Sequence, residues 1–182
     1  IGRKKLYYDG LANGQESKGN QTREENLKDV SNFEASTTTY NTRGMPDTAT
    51  NPRCYVLRTA YDSLFLYPAS VTNAKNQVTS FVYDPKFGVP TQVTDANGEV
   101  VQYVYDAFGR PVEQKVKDTD GSMKTVRQAV YDFSVQPVSV TQTSISGGTD
   151  LAGAAIAVTQ KTYFDGFGRP IQTVAETEGT AN

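Results

Sequence analysis

Histidine is absent from the 182-residue chain and cysteine occurs once. Without an imidazole there is no Ser-His or Cys-His nucleophilic arrangement, and most zinc sites are closed off. Cys54, alone, forms no internal disulfide and leaves the redox compartment unread; it is expected to be a small buried residue. No apolar run approaches the roughly 20 residues a membrane-spanning helix needs, and no signal peptide is visible. The 18 basic and 20 acidic residues are interspersed and leave a formal net charge of −2, so the electrostatic footprint of a nucleic-acid binder is missing. No cofactor motif is found, and no carboxylate pair stands out for acid/base work. Asp95-Ala96-Asn97-Gly98-Glu99 and Asp118-Thr119-Asp120-Gly121 resemble the start of a calcium loop. Neither continues to the bidentate Glu that an EF-hand requires, and hairpin turns explain both better.

What the chain does have is repetition, clearest around residues 93–116, VTDANGEVVQYVYDAFGRPVEQKV. Val100 to Tyr105 is a β-branched and aromatic run, and Val112 and Val116 share one strand face while Glu113, Lys115 and Lys117 take the other. Asn97-Gly98 suits a two-residue hairpin turn, Gly109 plays a similar part, and Pro111 opens a strand where a missing N–H does least harm. Tyr61-Asp62, Tyr83-Asp84 and Tyr105-Asp106 recur at 22-residue spacing. Tyr40 precedes Asn41 upstream, and Tyr131-Asp132 and Tyr163-Phe164-Asp165 follow at longer intervals. A second marker, Phe-Gly-x-Pro, occurs at Gly88, Gly109 and Gly168, the last two continuing with Arg110 and Arg169. Two markers sharing one period argue for an internal repeat in which each unit is buried by its neighbours.

The string Tyr105-Asp106-Ala107-Phe108-Gly109-Arg110 resembles the YD repeat of Rhs proteins, of the B and C components of bacterial insecticidal toxin complexes, and of teneurins. YDSLFLYPASVTNAKNQV and YFDGFGRPIQTVAETEG are most similar to the toxin-complex and SpvB-related branch. The likeness covers most of residues 55–178, although Tyr61-Asp62 and Tyr131-Asp132 lack the following Gly-Arg. It implies a β-sheet that spirals into a hollow shell around a cytotoxic polypeptide, so that this segment is a non-catalytic piece of container wall. The implied partners are the remainder of the same or a partner YD-repeat chain and the enclosed cargo. The parent would be secreted or at the cell surface. The self-cleaving aspartyl site of such proteins is not carried over, because Asp84-Pro85 continues as Lys86-Phe87-Gly88 and is a YD variant.

The expected fold is all-β, an array of antiparallel hairpins in a twisted, curved sheet. The chain begins at Ile1 without an initiator methionine and stops within a repeat series, and is expected to be a piece of something longer. Residues 1–53 are expected to be an irregular repeat with a polar insertion at about 13–36, residues 54–143 the regular array, 144–153 a Gly/Ala/Ser-rich mobile loop, and 154–182 a further repeat. Lys4 to Tyr8 and Thr37 to Tyr40 read as strands; Thr22 with Glu25 fits a capping box for one short helix carrying Leu27 and Val30. Residues 47–53 read as a connection. Strands are expected at 54–61, 67–72, 78–84, 90–94, 99–105, 111–117, 123–132, 137–143, 155–164 and 170–176. A core of moderate size is within reach of this length.

In this reading the tyrosines pack against their equivalents in adjacent repeats, the aspartates accept hydrogen bonds from turn N–H groups, and Arg110 and Arg169 lie on aromatic rings or pair with an Asp. The alternative is a cell-surface adhesion or carbohydrate-binding module, in which the tyrosines form an exposed row for sugar stacking. An embedded enzyme would require a cleft with paired carboxylates of perturbed pKa.

Overall fold

β-Branched, aromatic and threonine-rich runs alternate with short segments bearing Asn, Asp or Gly, and in the computed structural model each such run is a strand. Residues 3–29, 31–149 and 155–177 are described. Among them there is no helix, and the strands divide between two units, Ile1–Val82 and Tyr83–Asn182.

The first unit holds β1 (Lys4–Tyr8), β2 (Gln21–Leu27), β3 (Phe33–Tyr40), β4 (Pro46–Thr50), β5 (Val56–Tyr61), β6 (Pro68–Thr72) and most of β7 (Val78–Asp84). The second holds β8 (Val89–Thr94), β9 (Val100–Tyr105), β10 (Pro111–Lys117), β11 (Met123–Asp132), β12 (Val138–Thr149), β13 (Ala155–Phe164) and β14 (Pro170–Thr177). Within each unit every strand pairs antiparallel with its predecessor and its successor in the chain, so each turn joins neighbours. The all-β hairpin array expected from the repeat is the observed architecture.

A single layer gives each strand two half-covered faces, and among the described residues no apolar side chain is buried. The moderate core within reach of this length is therefore not formed among the described residues. Stability comes instead from ladder hydrogen bonds and cross-strand pairs. Leu57, Val82, Val104 and Val130 remain exposed.

Several local expectations are corrected. The capping-box segment is β2, because Arg23 and Glu25 alternate with Glu24 and Asn26 across a ladder to β1 and β3, burying Glu25 under Tyr7, Lys5 and Arg23. Charge pairing across the strands replaces the apolar stripe a helix would need. The strand also takes up part of the expected insertion at 13–36; Val30 lies outside the described residues. Residues 47–50 of the expected connection belong to β4, paired on both sides. Residues 144–149 of the expected loop extend β12, with Thr149 opposite Ala155; residues 150–153 lie outside the described residues. Cys54 is exposed and holds φ at 62°, because it occupies a turn position.

Candidate functional site

The repeated feature is the turn that follows each Tyr-Asp. In the Asp106 turn the Asp106 N–H donates to the Arg110 carbonyl at 2.9 Å and the Gly109 N–H to the Asp106 carbonyl at 3.0 Å. Gly109 sits at φ 76°. This is a three-residue hairpin loop, a type I turn closed by a left-handed residue and a bulge, and not the two-residue turn expected at Asn97-Gly98. The same bond pair recurs at Asn41, Asn51, Asn73, Asp95, Asp118 and Asp165. The left-handed position is filled by Gly44, Cys54, Asn76, Gly98, Gly121 and Gly168 respectively. A two-residue loop would leave no place for the Asx side chain to reach forward over the turn.

That side chain does reach. Asp106 Oδ1 accepts from the N–H groups of Phe108 and Arg110, both at 2.9 Å, while Oδ2 takes Arg110 Nε at 2.6 Å. Asp165 repeats the pattern with Phe167 and Arg169 at 2.9 Å, and with Arg169 Nε at 2.7 Å. Asp84 accepts from Lys86 and Phe87, Asp132 from Ser134, and Asp62, in a turn one residue longer, from Leu66 and Tyr67. Around Asp84 the closure differs, with the Gly88 N–H on the Asp84 carbonyl. Of the calcium-like strings, Asp95 caps its turn in the same way, on the N–H groups of Asn97 and Glu99, whereas Asp118 takes the Thr119 N–H and pairs with Lys124 while Asp120 accepts from the Ser122 N–H.

These contacts favour the ionised carboxylate. The N–H of Arg169, against some desolvation, holds the Asp165 carboxyl below its ordinary range, helped by the Arg169 side chain. At Asp95 the Glu99 N–H is the leading cause of the same downward shift. At Asp106 desolvation pushes upward, but the Arg110 backbone and side chain and the Phe108 N–H together outweigh it.

The tyrosines do something the sequence did not suggest. Where a strand meets the preceding hairpin, the ladder stops short of the strand opening: the last pairs are Arg23 with Thr37, Thr48 with Arg58, Gln92 with Gln102, and Glu113 with Gln128. Past each of these, a phenol closes the gap. The hydroxyls of Tyr40, Tyr61, Tyr105 and Tyr131 donate to the carbonyls of Gln21, Pro46, Pro90 and Pro111, at 2.8, 2.8, 2.8 and 3.2 Å. A backbone acceptor that would be left without a ladder partner is satisfied from a side chain about one ring-length away.

Arg110 joins neighbouring repeats. Bonded to its own Asp106, its guanidinium lies 4.3 Å from the centre of the Tyr131 ring and 4.9 Å from that of Phe133. Arg169 stays within its own turn, over Phe167. Tyr83 also makes contacts. Tyr163, given the tyrosine place by the sequence, pairs with Ser139, and Phe164 pairs with Pro170 as Tyr105 does with Pro111. The inserted Phe164 moves the tyrosine one residue back and so to the other face.

Sequence reasoning overlooked the opposite turns. Asn51, Asn73 and Asp95 recur at 22-residue spacing with a left-handed residue three positions on, a signal as regular as Tyr-Asp. It was hidden because Asn and Asp share its first place and Cys, Asn and Gly its left-handed place. Asn41 Nδ2, buried without a partner, marks where the Arg of the Asp106 turn has no counterpart.

Hairpins laid down in chain order, closed by an Asx side chain and tied by a tyrosine to the strand before, are the repeating unit of this chain. The family model described as RHS Repeat matches residues 88–123, which span β8 to β10 and the start of β11. The fold is also found in the crystal structure of TcdB2-TccC3-Cdc42, with a TM-score of 0.77 and 15% identity over 96% of this chain and 15% of that one. It is found equally in TcdB2-TccC3 without its hypervariable C-terminal region, with a TM-score of 0.77 and 14% identity over 96% of this chain and 14% of the other. The Photorhabdus luminescens Tc holotoxin pore is similar at a TM-score of 0.50 and 12% identity, over 88% of this chain and 11% of that one. At these identities the likeness concerns the fold. The chain spans about one seventh of the length of these TcdB2-TccC3 chains. No curated protein matches its sequence.

Proposed function

We propose that this chain is a non-catalytic wall segment of an Rhs/YD-repeat shell that encloses a polypeptide cargo in a secreted or delivered bacterial toxin complex. The observation that carries the reading is the single layer of hairpins whose Asx and tyrosine side chains are turned to backbone groups of the same array, leaving a scaffold with its polar groups spent on itself. The shared fold with TcdB2-TccC3 structures supports it. So does a depression of the first unit, about 740 Å³, whose lining mixes Ser, Thr and Asn with Tyr55, Val56, Leu57 and Lys75 and holds no carboxylate. Its partners are then further YD repeats, of its own or a partner chain, and the cargo. The repeat residues from Tyr40 to Arg169 serve to hold turns and join strands. Half-buried tyrosines with hydroxyls on backbone carbonyls support packing over an exposed sugar-stacking row.

Limited proteolysis of the full-length polypeptide, with mass spectrometry of the products, tests the proposal. A C-terminal segment that survives with the repeats and is freed only by denaturation is the expected result. Prompt digestion of that segment while the repeats persist would overturn it.

A further inference from the structure

The chain contains two Asn-Gly steps, Asn13-Gly14 and Asn97-Gly98, both exposed. Such a step loses ammonia when the glycine nitrogen attacks the asparagine Cγ. The C–N bond of the side-chain amide breaks, a five-membered succinimide forms, and one water then opens the ring to aspartate or isoaspartate. The attack needs a glycine N–H that is free to give up its proton and a backbone free to rotate.

Asn97-Gly98 has neither freedom. The Gly98 N–H is held by the Asp95 carbonyl at 3.1 Å, the Asn97 N–H by Asp95 Oδ1 at 2.8 Å, and Asn97 Nδ2 by Asp95 Oδ2 at 3.3 Å. The turn itself is pinned by the pairing of β8 with β9. Around Asn13 the restraints are few. The Gly14 N–H makes no hydrogen bond among the described residues, and the local turn rests on one bond, from the Gln15 N–H to the Ala12 carbonyl at 3.0 Å. The loop is gathered at its far end, where the Asp9 carboxylate accepts from the N–H groups of Ser17, Lys18, Gly19 and Asn20, which leaves residues 10–16 exposed. Asn13 Nδ2 itself donates to the Leu6 carbonyl at 2.7 Å, a single bond that is lost when the ammonia leaves.

We propose that Asn13 is a site of spontaneous deamidation and that the folded hairpin protects Asn97 from the same reaction. Conversion replaces a donor to the Leu6 carbonyl with a carboxylate, makes the net charge more negative by one, and in the isoaspartyl product lengthens the main chain of the loop. The loop after β1 thus carries a modification that changes its charge and hold with age.

The test is incubation of the full-length polypeptide at neutral and mildly alkaline pH, followed by peptide mapping with isoaspartate-specific methylation. Asn13 should convert first and faster at the higher pH, Asn97 should lag, and Gly14→Ala should slow conversion at residue 13. In denaturant the two sites should convert at similar rates. Conversion of Asn97 as early as Asn13 in the folded protein would overturn the proposal, as would an Asn13 that stays intact in the folded protein while it converts in denaturant. A lag of Asn97 that persists in denaturant would also contradict protection by the fold.

Discussion

Gly109 and Gly98 hold the same place in successive turns, yet a methyl group would meet different surroundings at each. Both have positive φ, at 76° and 83°. A Cβ on Gly109 would lie 2.9 Å from the Phe87 ring, whereas one on Gly98 meets nothing within 4 Å. Gly98→Ala should therefore cost about 1–2 kcal/mol for the left-handed backbone alone. Gly109→Ala should cost more, since Phe87 must also move. Urea unfolding of the two variants ranks them, and equal losses would show that the ring gives way freely. Cys54 presents the converse case, a side chain at φ 62° where other turns have glycine. Cys54→Gly should raise stability, by about 0.5–1 kcal/mol, read from the unfolding midpoint. The carboxylates act at the same scale. Because the folded pKa of Asp95, Asp106 and Asp165 lies below the unfolded one, their stabilisation is present above the unfolded value, near pH 4, and is lost as pH falls through the folded value. The unfolding midpoint should hold steady from neutral pH to about 5 and decline below about 4. Asp95→Asn should flatten that decline; an unchanged pH profile would mean that the turn carboxylates do not govern it.

The hairpin is the scale at which tyrosine matters. Tyr105→Phe keeps the ring and removes only the bond to the Pro90 carbonyl, so the expected loss is about 1 kcal/mol, with faster amide exchange at the opening of β8. Slowed or unaltered exchange there would show that the phenol does not close the ladder. Much of this level was legible in the sequence. β1, β7, β10, β11 and β13 have the bounds that β-branched content and turn residues suggested, because a two-residue period between Gly or Asn turns leaves little freedom of register. What could not be read was charge-paired strand. β2, QTREENL, has the composition of a helix start and becomes a strand because its neighbours offer Lys4, Lys5 and Phe33 across the ladder. The purpose of the tyrosine was equally hidden. The sequence marks its recurrence, but the acceptor of its hydroxyl lies 15 to 20 residues back and is fixed by where the ladder ends.

At the scale of the whole molecule, an array with no buried apolar side chain among its described residues draws its stability from many small local terms, each repeat leaning on the next. Such an array suits a wall, extended by adding hairpins without redesigning a core. Its fold is shared with chains of toxin complexes about seven times longer. Electron cryomicroscopy of the full-length polypeptide tests the wall most directly. The account predicts that β1 to β14 lie within a closed β-sheet shell with additional density inside it. An open rod of hairpins with no enclosed volume would contradict it.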